Sequence, residues 1–249
     1  MQPLRKGRYT AREASSAADL AAAQELRHLA FIAARGLTAT HGPSDADALD
    51  GRCRHMLLEE ASGTLVGCFR LLPLESGAGI GGSYAAQFYD LSALACYPDP
   101  MLEVGRFCIH PHWRDPDILR LAWAAMTQIV DARGVQMLFG CSSFQGANPA
   151  PHVEAFALLH RQHQAPARWQ PGIKAAQVLR FAGGLPQATD PRRAAQGMPP
   201  LLRSYLAMGG WVSDHAVIDR DLDTMHVFTG LEIAAIPPAR ARLLRAVAG

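Results

Sequence analysis

Two apolar segments that predict β-strands carry charged side chains where buried residues are expected. Arg70 lies among apolar residues in the strand predicted over 64–72, and Glu103 and Arg106 interrupt the two faces of the strand predicted over 102–110. Burying an unpaired charge costs several kcal/mol or more. These groups therefore form ion pairs that brace a sheet, or they line a wet pocket where a carboxylate acts as base and arginines position a charged substrate. Both interpretations are open at this point.

A polar, acidic loop is predicted over 38–51, ahead of the first hairpin. It contains Asp45, Asp47 and Asp50. Asp47 and Asp50 are the substrate-binding candidates among them, because they can attract ammonium groups or order a loop that closes on a substrate, and a solvated capping loop is the alternative interpretation.

The surrounding elements predict a mixed α/β sheet flanked by helices. Helices over 16–35 and 115–134 are predicted from capping residues, with Ser16 and Gly36 at the ends of the first and Asp115 and Gly134 at the ends of the second. Further helices are predicted over 83–94, 153–163 and 199–208, and strands over 55–59, 64–72, 102–110, 135–140 and 225–231. The first two of these strands form a hairpin, and Pro73 is expected to end it.

Composition excludes several classes of protein. The chain has 249 residues and a formal charge of only +2, from 24 basic and 22 acidic residues, so nucleic acid is not an expected partner. Five scattered cysteines without a CxxC pair predict a reducing, cytoplasmic environment without disulfides. His160 and His163 lack a third ligand, so no metal site is predicted.

The carboxy terminus contains basic residues among apolar ones. Arg240, Arg242 and Arg245 alternate with leucine and valine in a short amphipathic tail. Such a tail can touch the anionic inner membrane peripherally or stay solvated.

Several motifs resemble two related groups of acyltransferases, the ornithine-lipid-synthesis N-acyltransferases and, more distantly, the acyl-homoserine-lactone synthases. Both groups share four stretches with this chain. These are ELRHLAF with Arg27 and Phe31, SDADALDGRCRHMLL with Asp47 and Asp50, GCFRLLP with Arg70, and EVGRFCIHP with Glu103, Arg106 and Phe107. Two further stretches, GCSSFQG at 140–146 and the segment 199–228, favour the ornithine group. The resemblance covers about residues 12–236.

This resemblance implies a single GNAT-like N-acyltransferase domain over 1–249. The implied reaction moves a (3-hydroxy)fatty acyl group from acyl carrier protein to the α-amine of ornithine by direct aminolysis, giving lyso-ornithine lipid. The coenzyme A signature of GNAT enzymes is missing from RDPDILR at 114–120, whose acids would repel a pyrophosphate. A carrier protein is therefore the expected donor, and no bound cofactor is expected. Phe107, where the ornithine group usually has serine, and His226, where an acid is expected, depart from the pattern.

The resemblance also implies roles for the charged residues. Glu103 is the candidate general base, acting through a water. Arg70 and Arg106, together with Arg27, hold the acceptor carboxylate or lock the loop acids in place.

The implied substrate site extends to the strand over 135–141. A pantetheine arm is expected to enter between this strand and the strand over 102–110. Residues assigned to substrate binding along these strands are Phe107, Phe139, Cys141, Ser142 and Phe144.

Two other functions are compatible with these motifs. One is an acyl-homoserine-lactone synthase that uses S-adenosylmethionine as acceptor. The other is a non-catalytic module that binds acyl carrier protein or lipid.

Overall fold

The computed structural model describes residues 2–38, 44–183, 185 and 191–248. Part of the predicted acidic loop, 39–43, therefore lies outside the described residues. The strands are β1 Leu4–Lys6, β2 Tyr9–Glu13, β3 Arg54–Glu60, β4 Leu65–Leu74, β5 Tyr89–Asp90, β6 Met101–Ile109, β7 Met137–Gln145, β8 Gly172–Ile173, β9 Val178–Arg180, β10 Trp211–Val212, β11 His215–Asp219 and β12 Thr224–Glu232. The helices are α1 Ala17–Phe31, α2 Pro116–Arg133, α3 Val153–Gln162, α4 Pro191–Gln196, α5 Pro200–Ala207 and α6 Pro238–Ala248.

Internal contacts divide the chain into two compact units. The first comprises Met1–Pro73, Val104–Val135 and Pro238–Gly249, and the second comprises Leu74–Glu103 and Gln136–Pro237. The prediction of a single domain over 1–249 stays a prediction.

The first unit is built on antiparallel strands. β1, β2, β3 and β4 follow one another in the sheet, and β6 lies next to β4. Helix α1 begins at Ser16, whose side chain accepts the amide hydrogen of Asp19, and it covers one face by packing Ala23 and Leu26 against Leu57. The helix and its cap at Ser16 were predicted from the sequence and are confirmed, although α1 ends at Phe31 and a 3-10 turn over 33–35 precedes Gly36.

Helix α2 also begins and ends where its capping residues predict. The side chain of Asp115 accepts the amide hydrogen of Asp117, and Gly134 ends the helix in a left-handed conformation with φ of 62°. The carboxy terminus, predicted as a short tail, is instead the helix α6. It packs on α2, and Arg245 pairs with Asp131 at 2.7 Å.

The second unit contains the longest ladder. β12 runs antiparallel to β7 over 224–232 and 137–145, β11 and then β9 continue the sheet, and β6 pairs in parallel with β7 over Met101–Glu103. Helices α3 and α5 cover one face of this sheet and build a core that contains Phe144, Phe156 and Leu202. β7 extends five residues beyond the predicted strand end because β12 pairs with it throughout.

One predicted helix is wrong. Residues 83–94 form two short 3-10 turns and the strand β5, which pairs with β8. The backbone groups of this segment bind partners distant in sequence, as when the carbonyl oxygen of Phe88 accepts the amide hydrogen of Ala175. A second difference is that β4 continues through Pro73 to Leu74, where the sequence predicted its end.

No helix within the described residues has both the length and the apolar character needed to cross a bilayer.

Candidate functional site

A cluster of ionised side chains lies in the first unit. Within the described part of that unit, three elements bring arginines to the acidic loop: Arg27 on α1, Arg70 on β4 and Arg106 on β6. The loop contributes Asp45, Asp47 and Asp50. We call these six residues the Arg–Asp cluster.

Arg27 forms the most buried part of the cluster. Its side chain is 1% exposed, Nε donates to Asp45 Oδ2 at 2.8 Å, and Nη1 donates to Asp50 Oδ1 at 2.8 Å. Nη2 has no hydrogen-bond partner among the described residues. A helix residue thereby binds two separate acids of the loop.

Arg70 joins the two acids that the sequence singled out. Nη1 donates to Asp47 Oδ1 and to Asp50 Oδ1, each at 2.6 Å, and Nη2 donates to Asp47 Oδ2 at 2.8 Å. The contact with Asp47 is bidentate, the geometry in which a guanidinium binds a carboxylate most specifically.

Arg106 approaches the cluster from an unusual backbone conformation. Its φ is 52°, in the left-handed region that side chains other than glycine seldom adopt. Nε lies 3.2 Å from Asp45 Oδ2, and Nη2 donates to Asp47 Oδ2 at 3.4 Å. The third guanidinium therefore binds the same loop.

Electrostatics keep Asp47 and Asp50 ionised. Burial is the largest influence on Asp50 and acts to raise its pKa, but hydrogen bonds and charge from Arg27, with further bonds from Gln24 and Arg70, hold the pKa below its usual value. The pKa of Asp47 is lowered in the same way, with Arg70 overcoming the effect of burial. Of the two roles predicted for the arginines, the geometry matches the locking of the loop acids.

Three residues in or beside the cluster were not selected as functional from the sequence, namely Asp45, Gln24 and His55. Gln24 donates to Asp50 Oδ2 at 2.8 Å, and His55 Nε2 lies 2.9 Å from the carbonyl oxygen of Asp50. Gln24 stands three residues before Arg27 on the same helix, and this spacing was an available signal.

The two aromatic residues predicted to be functional in the first unit, Phe31 and Phe107, lie on α1 and β6, which also carry arginines of the Arg–Asp cluster. Phe31, at the end of α1, packs partly buried against the core beneath that helix. Phe107 packs on Phe69 with ring centroids 5.9 Å apart.

Glu103 lies in the second unit, where a loop binds both of its oxygens. Oε2 accepts the amide hydrogen of Tyr84 at 2.9 Å, and Oε1 accepts that of Ala85 at 2.8 Å. The residue is buried and stands opposite Phe139 in the parallel pairing of β6 with β7. Its carboxylate is thus fixed in orientation by main-chain donors.

Strand alternation separates the four predicted residues of β7. Phe139 is buried and stacks on Phe228, with Cys141 on the same face of the strand, whereas Ser142 and Phe144 point to the face covered by α3. Phe144 belongs to the hydrophobic core there, and Ser142 accepts a hydrogen bond from Thr229. The four residues, predicted as one set, are therefore not brought together on one face.

No group of three or more His, Cys, Asp or Glu side chains that could hold a metal ion occurs in the described ranges.

Comparison with known proteins identifies relatives along almost the whole chain. Residues 26–124 match a family model described as an acetyltransferase (GNAT) domain. An L-ornithine N(alpha)-acyltransferase from Rhodobacter capsulatus is 32% identical over 238 residues, covering 92% of this chain and 91% of the relative. The chain belongs to the L-ornithine N(alpha)-acyltransferase family.

A second member agrees with this assignment, and one solved structure shares the fold. The L-ornithine N(alpha)-acyltransferase from Rhizobium meliloti is 30% identical, covering 90% of this chain and 80% of the relative. The solved structure of FeeM, an N-acyl amino acid synthase from uncultured soil microbes, matches with a TM-score of 0.50 at 11% identity, over 99% of this chain and 98% of that one. The predicted GNAT-like fold is confirmed.

The L-ornithine N(alpha)-acyltransferase family was also predicted from the motifs, and that prediction is confirmed. All of the Arg–Asp cluster and Glu103 lie inside the part that matches the GNAT model, 26–124. β7 and β12 lie outside that part. The roles predicted for individual site residues stay predictions.

Proposed function

We propose that this chain transfers a 3-hydroxyacyl group from acyl carrier protein to the α-amine of ornithine, giving lyso-ornithine lipid. One observation carries the proposal, namely identity of about 30% to proteins named L-ornithine N(alpha)-acyltransferase over nine-tenths of the chain. The GNAT-like fold supports it, because that fold serves acyl transfer to amines in the proteins that the comparisons name.

The reaction needs a deprotonated amine close to a thioester. The amine nitrogen attacks the carbonyl carbon, the carbon–sulfur bond breaks, and the thiolate of the pantetheine arm leaves and takes up a proton. Proximity can supply about 7–11 kcal/mol of the barrier. Glu103 is assigned as the general base that removes the amine proton through a water, and its two amide hydrogen bonds support this role by fixing the carboxylate.

The Arg–Asp cluster is assigned to the acceptor side of the reaction. Its inner members, Arg27 and Asp50, are buried, whereas the side chain of Asp47 is 26% exposed. Asp47 is therefore the acid of the cluster nearest to solvent, although Arg70 and Arg106 bind its oxygens. As part of the proposal, Asp47 is assigned to the ammonium groups of ornithine, which would compete with these arginines.

The start of α2 supports a carrier protein as donor. Asp115 caps the helix and also accepts a hydrogen bond from Tyr9 at 2.9 Å. Its carboxylate occupies the helix end at which a pyrophosphate of coenzyme A would otherwise gain from the backbone amides. A donor without that pyrophosphate avoids the repulsion.

Incubation of the purified chain with 3-hydroxyacyl carrier protein and ornithine tests the proposal. We expect mass spectrometry to detect N-(3-hydroxyacyl)ornithine, with less product from the matching acyl-coenzyme A. Parallel incubation with S-adenosylmethionine is the control. A homoserine lactone formed with S-adenosylmethionine, or binding of the carrier protein without turnover of ornithine, would contradict the proposal.

The exposed side of α6 supports peripheral contact with the cytoplasmic face of the membrane. Leu243 is 62% exposed, directly follows Arg242 and comes three residues after Arg240, and both arginines are exposed. A leucine beside arginines binds an anionic bilayer by burying the apolar side chain and pairing the cations with lipid phosphates.

Cosedimentation with phosphatidylglycerol vesicles tests this contact. Each arginine near such a surface contributes about 1 kcal/mol, so we expect the double variant Arg240→Glu, Arg242→Glu to bind more than about tenfold less tightly. The variant Arg161→Glu, altered at an exposed residue of α3, is the control and should bind like the parent chain. Equal binding of all three proteins would exclude α6 as the contact.

A further inference from the structure

A second set of buried polar groups lies on the sheet of the second unit. Tyr89 packs against the rings of His215, His226 and Phe228, with centroids 5.2, 5.7 and 5.7 Å away. Trp211 stacks on Phe228 at 5.8 Å. We call these five residues the Tyr89 site. The Arg–Asp cluster and Glu103 do not belong to it.

The hydrogen bonds of Tyr89 fix which nitrogen of His226 carries the proton. The Tyr89 hydroxyl lies 2.8 Å from the carbonyl oxygen of His226 and 3.1 Å from its Nδ1. A carbonyl oxygen only accepts, so the single hydroxyl proton is donated there, and the contact with Nδ1 favours the tautomer that carries its proton on Nδ1, because two lone pairs would otherwise face each other. Nε2 of the neutral ring is then an unprotonated acceptor.

This acceptor is buried without a donor. His226 is 2% exposed, and Nε2 has no hydrogen-bond partner among the described residues. Burial, with a smaller contribution from the neighbouring imidazole of His215, lowers the pKa of His226 to about 4, so the His226 ring is neutral near pH 7. A buried acceptor left bare is costly, and in a native protein it indicates a missing water or ligand.

Two further buried nitrogen atoms of the Tyr89 site, on His215 and Trp211, also lack a hydrogen-bond partner among the described residues. Nδ1 of His215 lies 2.7 Å from Asp214, while its Nε2 has no hydrogen-bond partner in the described part of the chain. Nε1 of Trp211, a donor, is likewise buried without a partner there. The site thus offers both acceptors and a donor within an aromatic surface.

Strand register places the site beside accessible residues of β7. His226 stands opposite Ser143, which is exposed, and Phe228 stands opposite Cys141, which is half-buried. Ser143 is therefore the solvent-exposed residue directly across the ladder from His226, and the ring of Phe88 packs on the imidazole with centroids 4.9 Å apart.

We propose that the Tyr89 site binds the hydroxyl group of a hydroxylated acyl chain, with Nε2 of His226 accepting the hydroxyl proton. A hydroxyl group can donate to a bare imidazole nitrogen, and the aromatic rings contact the methylene groups beside it. An acyl chain without the hydroxyl leaves Nε2 unsatisfied. The inference rests on the proposed function and adds a specificity residue to it.

Other ligand classes fit the site less well. An anion would face unprotonated nitrogens. An ammonium group would lose its hydration in an aromatic surface, and the carboxylate next to the site, Asp214, already binds His215. A neutral hydroxyl avoids both penalties.

A competition assay tests the inference with the full chain. Equimolar 3-hydroxyacyl and unsubstituted acyl carrier proteins of equal chain length are offered with ornithine, and the ratio of the two acylornithines is measured by mass spectrometry. We expect the parent chain to favour the hydroxylated donor by roughly ten- to a hundredfold, since the alternative leaves a buried acceptor unpaired.

Two substitutions at one position separate the nitrogens of His226. Asparagine places its amide near Nδ1 and keeps the contact with Tyr89, whereas glutamine reaches the position of Nε2. His226→Asn should bring the ratio close to one, and His226→Gln should keep most of the preference. His163→Asn, altered at a half-buried histidine at the end of α3, should keep the parent ratio.

The outcomes distinguish this inference from the proposed function. Acylornithine formed equally from both donors by the parent chain, or an unchanged ratio in a folded, active His226→Asn variant, would overturn the hydroxyl site alone. No acylornithine from either donor would overturn the proposed function and the hydroxyl site together.

Discussion

Replacement of Glu103 by glutamine is expected to lower kcat/KM for ornithine acylation by about 10²–10⁴-fold. The substitution keeps the size of the side chain but removes the group assigned to accept the amine proton. The rate is measured by release of free carrier-protein thiol. The control is Glu59→Gln. Glu59 lies on β3 and accepts a hydrogen bond from Arg12, so this variant should keep the parent rate.

The pH profile separates a base from a residue that only positions a loop. Glu103 binds the amides of Tyr84 and Ala85, so glutamine could also disturb that loop. If the carboxylate removes the amine proton, the deficit of the variant should narrow between about pH 6 and about pH 9, because free amine becomes abundant near its own pKa. A deficit that stays constant across this range would contradict the assignment as base.

Replacement of Arg70 by methionine is expected to lower the free energy of unfolding by about 3–5 kcal/mol. Arg70 is 3% exposed and binds both Asp47 and Asp50, so methionine leaves buried carboxylates short of a cation. Urea denaturation followed by circular dichroism measures the change. Arg54→Met, which breaks a half-exposed pair with Glu13, should cost only about 0–1 kcal/mol. Similar costs for the two variants would contradict a buried, energetically coupled cluster.

Acid titration gives the same prediction a second readout. The pKa values of Asp47 and Asp50 are lowered in the folded chain, so the unfolded chain binds more protons just below pH 4. The stability from these acids is complete above the unfolded pKa of about 3.9 and is lost as pH falls through the folded values. Arg70→Met removes a partner that helps to lower the pKa values of both acids. The variant should therefore lose less stability than the parent chain as the pH falls through this range.

The sequence predicted the parts of the fold that depend on local signals. Helix α2 has a capping aspartate at its start and a left-handed glycine after its end, and both signals act within a few residues. The Arg–Asp cluster was also accessible, because Arg27 and Arg70 stood out as charges in apolar elements. Their convergence on one loop depended on the tertiary structure.

Elements whose hydrogen bonds come from far along the chain could not be predicted in this way. The segment 83–94 has the composition of a helix, yet its amides bind Glu103 and its strand pairs with Gly172–Ile173. His226 gave no sequence signal beyond its departure from the family pattern. Its bare nitrogen follows from a contact with Tyr89, 137 positions earlier.

The left-handed conformation of Arg106 sets backbone strain against ion pairing. Glycine at this position would relax the backbone by about 1 kcal/mol, but it would delete the guanidinium that reaches Asp45 and Asp47. A lysine at 106 would keep the positive charge and the strain together but lose the forked geometry, so the backbone here is matched to a guanidinium.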